Sequence, residues 1–173
     1  MEHQEVLLIG FGELTQKLKN LLEAGKLEVM TFGAEDISQT VGQLVTSGGS
    51  EKTEEPLERG LVMFHNFTRE GLDPALKILR EAGIPKQPLK AMVTPTNWHW
   101  KVQNLLQELQ QEQQLMGELI KLKQLRDTIP MPAFTDIPAM KAWMAAEVQF
   151  SGGESVTLET IRSAYEGLLK LKK

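Results

Sequence analysis

EVLLIGFGELTQKLKNLLEAG, residues 5–25, is the stretch that decides the fold class of this chain. Val6 to Ile9 form an unbroken apolar run, the pattern of a strand buried on both faces. Gly10-Phe11-Gly12 interrupts it. Leu14, Leu18, Leu21 and Leu22 then recur at helical spacing, and Gly25 is a C-terminal stop. A strand, a glycine turn and a helix make the first half of a crossover unit, which predicts an α/β fold.

Outward from there the pattern repeats. KLEVMTFG supplies a second strand, and Ala34 to Val45 a weaker amphipathic helix. TSGGSEKTEEPLERG, residues 46–60, has little apolar content and many turn formers, so it reads as a mobile linker or surface loop. LVMFHNF is a third strand, TREGLDPALKILREAG a helix, and PLKAMVTP a fourth strand. Both halves place a helix ending in EAG between their two strands. Alternation of this kind predicts a small, mostly parallel four-stranded sheet with helices on both faces. The expected strand order is 2-1-3-4.

From Asn97 a helical pattern runs to about Arg126, with Val102, Leu105, Leu109, Met116 and Leu119 at heptad-like spacing and Pro130 beyond it. At 1.5 Å per residue such a helix reaches roughly 45 Å, longer than a small sheet is wide. The rest predicts two helices, one capped by Asp136 with Pro138 in its first turn, one capped by Thr157, joined by the turn SGGESV. The expected organisation is an α/β domain over residues 1–126 and a helical appendage over 127–173. The end LMGELIKLKQL of the long helix is expected to pack on the two C-terminal helices or on a second chain, as a homodimer.

Composition narrows the function classes. The 173 residues carry 19 basic and 23 acidic side chains, a net charge of -4, with 41% hydrophobic content. No basic stripe interleaved with aromatics is present, which argues against nucleic acid as a partner. The chain has no cysteine, so thiol nucleophiles, disulfides and cysteine–zinc sites are excluded. The start MEHQEVLLIG lacks a signal-peptide pattern, and no apolar run reaches membrane-spanning length, so the expectation is a cytoplasmic protein without a membrane partner.

The stretch from about Leu61 to Met116 carries REGLDPALKILREAGIP, PLKAMVTPTNWHWKVQNLLQEL and the glutamine-rich QQEQQLM. Its core is a strand running into Thr94-Pro95-Thr96-Asn97, with Trp100 shortly after. In these features it resembles a family of small bacterial domains of unknown function, DUF 3783. The resemblance implies a recurring bacterial cytoplasmic module and adds weight to the Thr94–Asn97 corner. It implies no reaction.

Two motifs stand out as candidate chemistry. Gly10-Phe11-Gly12 starts like a dinucleotide fingerprint, but Thr15 stands where the third glycine belongs, and Glu13 would repel phosphate. It reads first as a tight strand–helix turn. VTPTNWHW, residues 93–100, holds two of the three tryptophans at a strand–helix corner. Pro95 extends Thr94, and Thr96 or Asn97 is placed to cap the following helix. If all strands end on one edge, three corners share a crevice there: Gly10, Phe11 and Gly12; His65 and Asn66; Thr94, Thr96, Asn97, Trp98 and His99. The ligand expected of it is a small anionic or carbonyl-bearing molecule. Two histidines without a third ligand at diagnostic spacing make no metal site, and no cofactor motif is complete. The first expectation is a binding or interaction module. The alternative is a small enzyme using His65 and His99 as acid–base groups.

Overall fold

A computed structural model of the chain describes residues 3–153 and 156–172. Glu154 and Ser155, in the expected turn SGGESV, lie outside the described residues. The chain divides into two compact units, Met1–Leu109 and Gln110–Lys173. The division falls inside the long helix, directly after Leu109, which still packs against the core of the first unit.

The first unit is an α/β layer structure. Its strands are β1 (Glu5–Ile9), β2 (Glu28–Phe32), β3 (Leu61–His65) and β4 (Leu89–Met92). They lie in the order β2-β1-β3-β4, as the sequence predicts. Helices α1 (Thr15–Ala24) and α3 (Arg69–Glu81) cover one face. On it Val6, Leu8, Val62 and Phe64 meet Leu18, Leu22, Ala75 and Leu79. The other face buries Leu7, Ile9, Leu61 and Met63 against α2 (Val41–Ser47) and the start of α4 (Val102–Asp127). Both faces of β1 and β3 are therefore apolar, which is why their sequences read as continuous runs rather than alternating ones.

The sheet is mixed, and this corrects the expectation of a mostly parallel one. β1 pairs with β2 in parallel, and β3 with β4 in parallel, so each half is a β-α-β unit. The halves join antiparallel, with Glu5 opposite His65 and Ile9 opposite Leu61. The reason is an extra pass of the chain between β2 and β3. Residues 34–40 lead from the end of β2 to the opposite end of the sheet, where Val41 and Gly42 donate to the carbonyls of Trp100 and Trp98 at 2.9 Å. Helix α2 then carries the chain back, and β3 begins beside the end of β1.

Residues 48–60 return across that end as a surface loop tied to it by backbone hydrogen bonds. Ser50 N donates to Thr31 O at 2.8 Å, Ala34 N to Glu55 O at 3.2 Å, and Leu57 N to Gly10 O at 2.9 Å. These bonds are made by backbone groups, which composition does not reveal.

The second unit is helical. The C-terminal half of α4 packs with α5 (Ile137–Phe150) and α6 (Leu158–Leu169) around Leu122, Leu125, Ala146, Ile161, Ala164 and Leu168. Asp136 caps α5 by accepting from Ala139 N at 3.2 Å, and Thr157 caps α6 by accepting from Thr160 N at 3.2 Å, as the sequence predicts. The Arg126 guanidinium lies 5.3 Å from the Phe150 ring centre and 6.0 Å from that of Trp143. Its Nε is 2.9 Å from Glu147 Oε1, a close charge contact that lacks hydrogen-bond geometry. Among the described residues, no helix is long and apolar enough to cross a membrane.

Candidate functional site

Antiparallel joining of the halves separates the three corners. β1 and β2 end at Ile9 and Phe32, on one edge of the sheet; β3 and β4 end at His65 and Met92, on the other. Gly10, Phe11 and Gly12 are therefore at the opposite end from His65, Asn66 and Thr94 to His99, and no single crevice holds all three.

The glycine corner is filled by the chain itself. Gly10 has φ +70°, and a Cβ there would stand 2.3 Å from Leu57 Cγ. A Cβ on Gly12, at φ +53°, would meet Pro56 Cβ at 3.1 Å and Glu54 O at 3.3 Å. Phe11 is buried. These glycines allow residues 54–57 to lie close over the turn, where a dinucleotide site would need open backbone N–H groups.

The other edge is built around His65. The register sets Glu28, Glu5 and His65 side by side across three strands, on one face of the sheet. His65 Nδ1 is 2.7 Å from Glu5 Oε2, both side chains being partly buried. The His65 ring centre is 6.0 Å from that of Trp98, the planes inclined by 45°. At the end of the same row, His3 Nδ1 lies 3.3 Å from Glu28 Oε1 on the exposed rim. A carboxylate that orients an imidazole is part of an acid–base device, but among the described residues no hydroxyl hydrogen-bonds to the pair. Asn66 has a left-handed backbone, φ 59°, and its Nδ2 reaches His3 O at 3.4 Å.

The Thr94–His99 corner closes on itself. Asn97 is buried, its Oδ1 accepting from Thr94 N at 2.9 Å and its Nδ2 donating to Met92 O at 2.8 Å. Asn97 N donates to Thr94 Oγ1 at 3.3 Å. The expected cap is thus a local turn: α4 begins at Val102, and neither Thr96 nor Asn97 caps it. Each side-chain amide atom of Asn97 is bonded to backbone. Trp98 packs on Gly42 of α2 so closely that a Cβ there would stand 2.4 Å from the indole nitrogen. Thr96 and His99 are exposed, and among the described residues His99 makes no hydrogen bond, ion pair or ring contact. His65 and Trp98 are brought together, whereas among the described residues His99 makes no bond or ring contact with His65.

Sequence reasoning missed Glu5, whose place beside His65 exists only through the antiparallel pairing. Among the described residues, no group of three or more histidine, aspartate or glutamate side chains is placed to hold a metal ion.

Residues 61–116 match the model of a family described as a domain of unknown function, DUF3783. The match covers the stretch where the resemblance lay, from β3 through the Thr94–Trp100 corner into α4. No curated protein and no solved structure matches the chain.

Proposed function

We propose that this chain is a non-catalytic interaction module of the bacterial cytoplasm, and that it engages a protein partner through its helical unit. One observation carries the reading. Of the ten large apolar side chains that stand exposed among the described residues, only Leu21 and Trp100 belong to residues 3–109, and the other eight to the helical unit. They include Met116, Ile120, Phe134, Ile137, Met144 and Val148. A groove of about 650 Å³ runs beside Met116 and Ile120, lined also by Leu115, Leu119, Phe150 and Val156. Exposed apolar surface concentrated in this way marks interaction sites.

The internal satisfaction of the sheet edges supports the same reading: residues 54–57 cover the glycine corner, and Asn97 spends its amide on its own backbone. Immobilised wild-type chain is expected to retain a partner protein that a Met116→Lys, Ile120→Lys double variant loses at unchanged melting temperature. Equal retention by both would overturn the reading.

The 2.7 Å contact of His65 with Glu5 favours a second reading, a small anionic or carbonyl-bearing ligand held at the His65–Trp98 rim. Its test is a ligand-dependent rise in melting temperature that His65→Ala removes.

A further inference from the structure

One stripe of α4 has no partner within the chain. Glu112, Met116, Ile120 and Lys123 are spaced by four, four and three residues, which puts them on one face of a helix. All four are exposed, Met116 at 55% and Ile120 at 53%. Neighbouring charges are already used: Lys121 pairs with Glu118 at 3.0 Å, and Arg126 with Glu147 at 2.9 Å and Asp127 at 3.4 Å. Glu112 and Lys123 make no ion pair or hydrogen bond among the described residues. The stripe is thus apolar in the middle, with a spare negative charge at one end and a spare positive charge at the other.

We propose that the occupant of this stripe is the same stripe of a second copy, running antiparallel; the proposal rests on the interaction reading above and names its partner. A two-fold axis maps a residue onto its mirror position about one point of the helix. The midpoint of Glu112 and Lys123 falls at 117.5 and that of Met116 and Ile120 at 118, so one axis serves both pairs. Each Glu112 then faces a Lys123, and each Met116 an Ile120, twice over. A parallel pairing would set Glu112 against Glu112 and Lys123 against Lys123. The charges therefore select the antiparallel direction, while the apolar pair and the adjoining groove supply the buried area.

Light scattering on the full chain at micromolar concentrations is expected to give a dimer mass. Glu112→Lys and Lys123→Glu should each weaken the dimer several-fold, less so in high salt. The double variant Glu112→Lys, Lys123→Glu, which reverses both charges, should restore it. All three are surface changes, and an unchanged far-UV spectrum confirms folding. A dimer indifferent to both single reversals, or singles that weaken and a double that does not recover, overturns the antiparallel pairing. A monomer at every concentration, with the Met116→Lys, Ile120→Lys variant still losing a retained protein, removes the second copy and leaves the interaction reading. A monomer with no such loss removes both.

Discussion

Asn97 ties the end of β4 to the corner that follows, with one oxygen and one nitrogen serving two backbone groups. Truncating it leaves Thr94 N and Met92 O, both half-buried, without their partner, so Asn97→Ala is expected to destabilise the chain by about 1–2 kcal/mol. Urea unfolding measures this, and a loss under half that size would show that water replaces the side chain. His65 is different. It is partly exposed, and so is Glu5, so solvent compensates much of the lost contact. His65→Ala should lower stability by about 1 kcal/mol or less. Any loss of ligand response beyond that would belong to binding. The three tryptophans likewise have unlike roles. Trp98 is committed to Gly42 and His65, Trp143 lies beside Arg126, and Trp100 is exposed.

Two glycines separate backbone strain from crowding at the element scale. Gly10 and Gly83 both have φ +70°, yet a Cβ at Gly83 would meet nothing within 4 Å, whereas at Gly10 it would collide with Leu57. Gly83→Ala is expected to cost about 1 kcal/mol, from backbone conformation alone. Gly10→Ala should cost roughly 3 kcal/mol, since overpacking adds to the same strain. Thermal unfolding of the two variants gives the difference, and equal values would mean that residues 54–57 do not press on the turn. The same segment should show in amide exchange, with the N–H groups of Ser50 and Leu57 protected by their bonds to Thr31 and Gly10. In α4, Gly117 stands mid-helix with open space around it. Gly117→Ala is expected to stabilise the monomeric chain by up to about 1 kcal/mol, read by urea unfolding.

At the scale of the whole molecule, each unit has a core of its own, and that invites a test by division. A fragment of residues 110–173 retains Leu122, Leu125, Ala146, Ile161, Ala164 and Leu168, and is expected to melt cooperatively with a helical spectrum. Leu122 has no exposed surface, so Leu122→Ala in the fragment should cost about 3 kcal/mol. A fragment that melts without cooperativity would show that the helical unit depends on the residues before it.

The four strands, their order, the helices on both faces and the caps Asp136 and Thr157 were legible in the sequence, because each follows from local patterning: apolar runs, helical spacing and a side-chain oxygen before a helix. The direction of β3 was not. It depends on whether the chain makes one pass or two between β2 and β3, and Ala34 to Ser47 reads the same either way. That direction decided the site. It sent Gly10 to one edge and His65 to the other, set Glu5 beside His65, and laid residues 48–60 over the glycine turn by backbone bonds that no side-chain pattern announces. Local structure is written in spacing that neighbours along the chain can satisfy; which corners meet depends on strand pairing between residues some sixty positions apart, as Glu5 and His65 are.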